Sequence, residues 1–292
     1  MPTALPHKYR DDIDENGFTV IRGFLTPEEV TLYREASAKL VDYARAGNWN
    51  DVRIRGKQFP PWPKDFNPDI WGVSGLLHPD LKELSYPFHE AYASDKMLAV
   101  VSDILQVPQE KISMELFNML INPLTDFDLE WHRDDIRPDV TPEEEAEQLD
   151  CAFAGCQFNL ALYEDDCLIV IPKSHKRIRT AEERKKTTDE TKKLPISSQM
   201  AVALQPGDLA FYNPNIVHRG VYNSKKPRLT LHGCYGHTDN GGRRARLVLQ
   251  HGVASWLDRL EPRNANLAQL KVGLEKLAEE NKNKDIGFSL EG

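Results

Sequence analysis

Residues 205–231, QPGDLAFYNPNIVHRGVYNSKKPRLTL, contain three short segments rich in β-branched and aromatic residues. Pro, Gly, Asn, Asp and Ser cluster between the segments, as is typical of turns that connect strands. The same pattern of short β-rich segments separated by turn residues begins after Pro108 and includes ISMELFNMLINP, LEWHRD, CAFAGCQFNLALY and CLIVIP. Short strands at fairly regular spacing favour a sandwich or barrel over a parallel α/β sheet. Residues 108–250 are therefore predicted to form a jelly-roll core.

Helical patterns lie on both sides of this β region. In residues 1–107, Thr26, Pro27 and Glu29 have the spacing of a capping box with proline at the first helical position. An apolar stripe with helical period follows them. In residues 251–292, leucines at helical spacing predict a final amphipathic helix. The fold class is therefore predicted to be mainly β with flanking α-helices.

Residues 48–80 differ in composition from both regions. They are rich in Pro, Gly and large aromatics, and they show no clean period. Long loops inside compact domains are uncommon and often cover functional sites. We expect a lid loop here, within one domain that spans residues 1–292.

Composition excludes several classes of protein. The chain has 292 residues, with 37 Lys plus Arg against 45 Asp plus Glu, so its formal net charge is −8. An acidic balance disfavours a general nucleic-acid or membrane-surface binder. No run of 18 apolar residues and no secretory signal are present, which predicts a cytoplasmic protein. The four cysteines form no CxxC pattern and are expected to be buried fillers.

A metal site is suggested by LEWHRDD. His132 and Asp134 are two residues apart in a strand-like segment, so their side chains point to one face. An imidazole, a carboxylate and one further His make the facial triad of non-haem Fe(II) oxygenases. Because HxD triplets also arise by chance, this pair needs a third ligand.

His218 in NPNIVHRGVYN is the predicted third ligand. Arg228 follows ten residues later, across a turn rich in Asn, Ser, Lys and Pro. A hairpin symmetric about Asn223 would place His218 opposite Arg228 on one face. A buried Arg needs an anion, and a dicarboxylate that chelates the metal at one end would supply it at the other. HxD, a distal His, Arg ten residues on and then Thr230 indicate a 2-oxoglutarate-dependent iron dioxygenase.

The chain resembles the phytanoyl-CoA dioxygenase (PhyH) family over most of its length. The motifs that carry the resemblance are GFTVIRGFLTPEEV, MLINP before HxD, DCLIVIPKSHK, QPGDLAFYN and HRGVYNSKKPRLTL. Lys173 stands where the family usually has Gly, and Asp166 where it has Gly or Asn, which puts the local turn in doubt. LVLQHGVASWL and the ending GFSLEG look like fungal members.

The resemblance implies a double-stranded β-helix (jelly-roll, cupin-like) core that holds Fe(II) by His132, Asp134 and His218. It implies 2-oxoglutarate as cosubstrate, bound by Arg228 with help from Thr230, together with O2 and ascorbate as a reductant. Gln157 and Met119 are expected beside the cosubstrate. The predicted catalytic residues are the three metal ligands themselves, His132, Asp134 and His218.

The predicted reaction is oxidation of a small organic molecule, with release of succinate and CO2. Hydroxylation is favoured over halogenation because Asp134 is present. Related halogenases need that position of the metal vacant so that a halide can bind there. Desaturation, epoxidation or rearrangement in secondary metabolism are the alternatives. The oligomeric state stays open between monomer and homodimer.

Substrate residues are harder to predict. Glu130 should share the face of His132, and Trp62, Phe66 and Trp71 in the lid loop could close an apolar pocket. The basic segment 173–193 could attract an acidic group, although a solvated face is the plainer interpretation.

Other classes of function compete with this prediction. A non-catalytic jelly-roll sensor would be expected to lose a ligand or Arg228, and none is lost. A cupin-type enzyme that does not use 2-oxoglutarate is disfavoured by Arg228. A protein substrate is also possible, but nucleic acid is disfavoured by the net charge. His175 is interpreted as a turn stabiliser and His232 as a hydrogen-bonded core residue.

Overall fold

Two antiparallel sheets make up the centre of the computed structural model, which describes residues 7–63, 65–151 and 153–290. The strands are β1 (Phe18–Ile21), β2 (Val52–Ile54), β3 (Ile70–Val73), β4 (Ile112–Ile121), β5 (Phe127–Asp128), β6 (Gly155–Ala161), β7 (Leu168–Val170), β8 (Met200–Ala201), β9 (Leu209–Tyr212), β10 (His218–Tyr222) and β11 (Leu229–His237). The larger sheet has the order β1-β9-β6-β11-β4-β3-β2, and the smaller one has the order β5-β10-β7-β8.

Helices are packed mainly against the larger sheet. They are α1 (Lys8–Asn16), α2 (Pro27–Arg45), α3 (Tyr86–Ala93), α4 (Asp95–Leu105), α5 (Pro142–Leu149), α6 (Ala181–Thr188), α7 (Gly241–Leu249) and α8 (Ala265–Asn281). The capping box predicted for α2 is present, because Thr26 accepts from the Glu29 amide and Glu29 accepts from the Thr26 amide. Within the described residues, no helix combines the length and the apolar character that a bilayer crossing requires.

The C-terminal helix α8 lies on β4 of the larger sheet. Its leucines recur at helical spacing and are buried, which confirms the predicted amphipathic helix. Gly273 permits this close approach, because a Cβ atom there would lie 2.7 Å from the Cβ of Ser113. Helix and sheet thus form one face of the main apolar core.

The predicted lid loop is partly a sheet extension. β2 and β3 pair with each other, and β3 pairs with β4, so residues 48–80 contribute two strands to the larger sheet. Two short strands therefore interrupt the segment that was expected to be a lid loop, and its role as a lid stays a prediction. The loop that remains, between β2 and β3, lies at the edge of the cavity described below.

The two sheets face each other across a cavity. Leu116 and Leu120 of β4 line it on one side, and Gly220 and Tyr222 of β10 line it on the other. This arrangement confirms the predicted jelly roll, with its site between the sheets. Three of the four cysteines are buried, and burial raises the pKa of the Cys167 thiol to about 12.

Candidate metal centre

His132 and His218 meet as neighbours on adjacent backbone segments. Each donates its amide to the carbonyl of the other, with N···O distances of 3.0 Å in both directions. The two ring centroids are 4.3 Å apart. Pairing of the segment after β5 with the start of β10 therefore places the two predicted imidazole ligands side by side.

Asp134 completes the group. Its Oδ1 lies 3.5 Å from His132 Nε2, and its Oδ2 lies 3.8 Å from His218 Nε2. The potential ligand atoms of the three residues all lie within 4.8 Å of one another. Two imidazoles and one carboxylate on one side of a cavity fit Fe(II) and leave coordination positions for other ligands.

Hydrogen bonds orient both imidazoles. His132 Nδ1 lies 2.8 Å from the Glu130 carbonyl oxygen, and His218 Nδ1 lies 2.8 Å from that of Ile216. With Nδ1–H as donor, each Nε2 keeps its lone pair for a metal. Burial, together with the nearby His132, lowers the pKa of His218 to about 4, so this imidazole is neutral at pH 7.

Asp134 is ionised despite its burial. Burial opposes ionisation, but the imidazoles of His218 and His132 outweigh it and hold the pKa of this carboxyl well below its usual value. Gln157 donates its amide to Asp134 Oδ2, and Tyr212 donates its hydroxyl to Gln157 Oε1 over 2.9 Å. Gln157 thus lines the cavity and contacts the Asp134 carboxylate, while its place beside the cosubstrate stays a prediction.

Gln58, from the loop between β2 and β3, supports His132 and was missed by the sequence analysis. Its side-chain oxygen accepts from the Glu130 amide over 2.7 Å. Its side-chain nitrogen donates to the Glu130 carbonyl oxygen over 3.1 Å, and the same oxygen accepts from His132 Nδ1–H. A lone Gln in a loop gives no sequence signal of this contact.

We expect Gln58→Ala to weaken Fe(II) binding about 10- to 100-fold, because groups that orient a metal-ligating His have effects of this size. Anaerobic Fe(II) titration measures the change. Phe66→Ala is the control from the same loop, since Phe66 is 63% exposed. Equal Fe(II) affinity in Gln58→Ala and the control would contradict the role of Gln58.

Arg228 lies at another part of the same cavity wall. Its Nε donates to Asp165 Oδ2 over 2.8 Å, and its guanidinium carbon lies 4.5 Å from the centroid of the Tyr222 ring. Its Nη1 is buried and has no hydrogen-bond partner in the described protein. A buried cationic donor without a partner fits a ligand carboxylate.

Asp165 was also missed. It accepts from both Arg228 and the hydroxyl of Thr230, so Thr230 holds Asp165 and does not itself line the cavity. Burial alone would raise the pKa of the Asp165 carboxyl, but the adjacent Arg228 guanidinium outweighs burial and holds this pKa below its usual value. Asp165 therefore fixes the position of the arginine side chain.

The predicted hairpin between His218 and Arg228 does not form. β10 pairs with β5 and β7, whereas β11 pairs with β4 and β6. The intervening turn crosses from the smaller sheet to the larger one. His218 and Arg228 still border one cavity, because the two sheets face each other.

A second arginine, Arg53 of β2, borders this cavity. Its guanidinium carbon lies 5.2 Å from the Trp71 ring centroid and 5.5 Å from that of Trp62. Its Nε is buried without a hydrogen-bond partner among the described residues. Arg53 thus brings a further positive charge to the site, and the sequence analysis did not identify it.

Several predicted site residues have other positions. Met119 is fully buried in the main apolar core, where it pairs with Leu231, because successive residues of β4 alternate between faces and Leu120 takes the cavity side. Glu130 turns outward, with its carboxylate 3.3 Å from Lys192 Nζ. Phe66 is exposed. Trp62 and Trp71 do line the cavity, together with Phe59 and Pro60.

The basic segment 173–193 is only partly a solvated face, because Lys173, Lys176, Lys185 and Lys193 are exposed but other charged residues of the segment are not. Arg179 and Glu183 are buried, and Glu145 of α5 accepts hydrogen bonds from Arg133, Arg179 and Arg184. Buried charges are stable only when paired, and the pairing here comes from distant parts of the chain. These arginines are therefore committed to structural contacts.

His175 and His232, two histidines that were not predicted to be metal ligands, are buried or partly buried. His175 is buried in a short 3₁₀ turn, Ser174–Lys176, and does not border the cavity of the triad. His232 borders that cavity, and its Nδ1 lies 2.9 Å from Asn159 Oδ1. Burial lowers the pKa of His232 to about 3, so it is neutral at pH 7.

Comparison with known proteins yields a family match. The family described as phytanoyl-CoA dioxygenase (PhyH) matches residues 13–229. No curated protein sequence matches the chain.

Solved structures share the fold. EctD from S. alaskensis, solved with 2-oxoglutarate and 5-hydroxyectoine, has a TM-score of 0.57 and 15% identity, and the match covers 82% of this chain and 79% of EctD. HygX from Streptomyces hygroscopicus, solved with nickel and 2-oxoglutarate, has a TM-score of 0.58 and 17% identity, with 80% and 88% coverage. SnoN, a non-heme alpha ketoglutarate dependent epimerase from nogalamycin biosynthesis, has a TM-score of 0.52 and 15% identity, with 79% and 80% coverage.

Proposed function

Given that this chain belongs to the phytanoyl-CoA dioxygenase family and is an Fe(II)- and 2-oxoglutarate-dependent dioxygenase, we propose that His132, Asp134 and His218 hold its iron. The observation that carries this assignment is the convergence of their ligand atoms within 4.8 Å. Two imidazoles and a carboxylate are the donor set of the facial triad that holds non-haem Fe(II).

Arg228 is assigned to the carboxylate of 2-oxoglutarate that lies away from the metal. Its unpartnered Nη1 is the free half of a guanidinium whose Nε is held by Asp165. A guanidinium that is already held in place loses less side-chain entropy when it binds a carboxylate than a mobile guanidinium does. Thr230 and Tyr222 contribute indirectly, the first by bonding Asp165 and the second by packing against the guanidinium.

The reaction we propose is hydroxylation of a small organic molecule. Bound iron supplies O2 activation, coupled to decarboxylation of 2-oxoglutarate to succinate and CO2. The protein orients the ligands through Gln58 and Gln157, and the aromatic walls from Trp62 and Trp71 limit the entry of water. Desaturation, epoxidation and rearrangement begin in the same way, and a cytoplasmic location stays a prediction.

We expect Arg228→Gln to raise the dissociation constant of 2-oxoglutarate about 10- to 100-fold, because charged hydrogen bonds contribute about 1.5–3 kcal/mol. Anaerobic titration of the Fe(II)-loaded protein with 2-oxoglutarate, followed by the visible charge-transfer band of the chelate, measures it. Arg137→Gln, at a surface pair with Asp139, is the control.

The single variant leaves Asp165 buried without its cation. The double variant Arg228→Gln/Asp165→Asn removes both charges and separates folding from binding. An unchanged dissociation constant in both variants would show that Arg228 does not bind the cosubstrate. Absence of the band in the unmodified protein would refute the iron assignment itself.

A further inference from the structure

The cavity that contains the iron ligands is small. Its volume is about 130 Å³. A water-sized group needs about 10–15 Å³ of such space, so the cavity holds roughly ten groups, which is about the number of non-hydrogen atoms in 2-oxoglutarate. Most of the primary substrate must therefore lie outside this cavity.

A larger space adjoins it. This outer chamber, of about 540 Å³, lies between the loop that follows β2 and the segment that follows α7. Pro60, Trp62, Leu116, Gln250 and His251 line both spaces. Binding sites for small organic ligands commonly have volumes of about 300–1,000 Å³, so the outer chamber has a suitable size.

Asp51 brings a carboxylate to the wall of the outer chamber. It lies directly before β2, and its backbone carbonyl oxygen accepts from the Ser74 amide over 2.7 Å, which fixes it beside the turn that follows β3. Gly75 in that turn has no side chain to cover the carboxylate, since a Cβ atom there would lie 3.9 Å from Asp51 Oδ2. Asp51 is therefore held in place by its backbone, while its side chain stays exposed to the chamber.

The charge of Asp51 is uncompensated within the chamber. Among the described residues, no lysine or arginine lines the chamber, and none forms an ion pair or a hydrogen bond with this carboxylate. The other carboxylate on the wall, that of Glu115, is compensated, because Arg244 donates to both of its oxygens over 2.8 and 2.5 Å. His251 is neutral at pH 7, since burial lowers its pKa to about 3. The lining that the structure describes thus has one net negative charge.

The charged groups behind the wall leave this excess in place. Asp80 accepts from Arg259 Nη1 over 2.5 Å, so these two charges cancel. Burial lowers the pKa of His78, which is therefore neutral at pH 7. Burial also raises the pKa of Asp51, because the chamber wall removes water from around the carboxylate and supplies no cation in its place. Asp51 thus faces an enclosed space, which distinguishes it from an aspartate in open solvent.

The iron cavity has no spare cation to offset Asp51. Its remaining charges, Arg53 and Asp134, have opposite signs, and Fe(II) would cancel the 2-oxoglutarate dianion. The other arginines that line it have carboxylate partners: Arg219 with Asp128 at 3.8 Å, Arg228 with Asp165 at 2.8 Å, and Arg244 with Glu115 at 2.5 Å. The charge of Asp51 must therefore be balanced by the molecule that fills the outer chamber.

This arrangement selects the chemical class of the occupant. A neutral molecule would displace water from the carboxylate without replacing its hydrogen bonds, and an anion would be repelled by it. A protonated amine supplies both a positive charge and hydrogen-bond donors. The rest of the wall is largely apolar and suits a carbon skeleton; it includes Pro61, Trp62, Leu77, Phe117, Val253 and Trp256.

We propose that the primary substrate has a protonated amine, which the Asp51 carboxylate binds, and an apolar body that lies against the aromatic wall of the outer chamber. The proposal rests on the proposed function in one respect: the carbon to be oxidised must extend from the chamber to the iron, past the residues that line both spaces.

The test uses three naphthalene compounds that differ in one group. 2-Naphthylmethylamine is a cation at pH 7, 2-naphthylmethanol is neutral, and 2-naphthoate is an anion. Equilibrium dialysis measures the binding of each to the full chain, loaded anaerobically with Fe(II) and 2-oxoglutarate, in about 0.15 M salt, which screens long-range attraction to the acidic protein. We expect the amine to bind at least about tenfold more tightly than the alcohol or the anion, as a charged hydrogen bond predicts.

Three variants locate the binding. Asp51→Asn keeps the shape of the side chain and removes its charge, so the affinities for the amine and the alcohol should agree within about twofold. Asp51→Lys reverses the charge, so 2-naphthoate should bind more tightly than the amine. Asp258→Asn is the control, because Asp258 is exposed near Trp256 and does not line the chamber, and it should keep the full preference for the amine. Because the Asp51 carboxylate has no partner among the described residues, its replacement removes no contact that the fold requires.

Equal binding of the amine and the alcohol to the unmodified protein would overturn the proposal, as would a preference for the amine that survives in Asp51→Asn. The chelate band recorded in the same samples distinguishes this failure from failure of the proposed function. A missing band with amine binding that depends on Asp51 would refute the iron site and support the amine site. A normal band without a preference for the amine would refute the amine site alone.

Discussion

We expect His218→Ala to abolish measurable Fe(II) binding and to lower turnover of 2-oxoglutarate by on the order of 10³-fold or more. His218 contributes one of three ligand atoms, and its loss leaves one imidazole and one carboxylate, which hold a divalent ion weakly. Anaerobic Fe(II) titration and succinate release measure the two effects.

The chain offers a matched control and a rescue for this variant. His7→Ala removes an exposed histidine and should change neither quantity. Added imidazole should restore part of the Fe(II) binding to His218→Ala, because the truncated side chain leaves space beside His132 and Asp134. Retention of Fe(II) affinity by His218→Ala would mean that the metal lies elsewhere.

We expect Glu145→Ala to lower the free energy of unfolding by about 3–5 kcal/mol, because removal of one partner of a buried ion pair has an effect of this size. The Glu145 carboxylate is fully buried and accepts from Arg133 Nε at 3.0 Å, Arg179 Nε at 2.9 Å and Arg184 Nη2 at 2.5 Å. Without it, Arg133 and Arg179 stay buried, and no other carboxylate of the described residues lies within ion-pair distance of them.

Urea unfolding measures this loss. Glu147→Ala on the same helix is the control, because its side chain is exposed, and it should change the free energy of unfolding by less than about 0.5 kcal/mol. Similar unfolding midpoints for the two variants would contradict the importance of the network. Arg133 lies between His132 and Asp134, so the network also anchors the segment that carries two metal ligands.

Local patterns in the sequence were sufficient to select the three candidate ligands, whose side chains converge in the structure, and to predict much of the secondary structure. His132 and Asp134 share a face because side chains alternate along an extended segment. Thr26 and Glu29 begin α2 because their contacts lie within one helical turn. The family motifs predicted the jelly roll, which the two facing sheets confirm.

Two features of the strands were harder to predict: which face each side chain occupies, and which strands pair with each other. The side chain of Met119 points away from the cavity and that of Leu120 toward it, and a shift of one residue in a strand exchanges the two faces. The prediction of a hairpin from His218 to Arg228 was wrong, because a short turn can connect two strands of one sheet or two strands of different sheets.

By itself, the sequence determined the chemistry of this protein: a His-x-Asp pair, a distal His and an Arg that together specify an iron oxygenase. Only the tertiary structure decided which residues support that chemistry. Gln58 holds the backbone of Glu130 beside His132, Asp165 holds Arg228, and Glu145 accepts from three arginines, over separations in the chain from 12 to 72 residues. These contacts depend on how sheets and loops pack, and a pattern of neighbouring residues contains no information about a partner so distant in the chain.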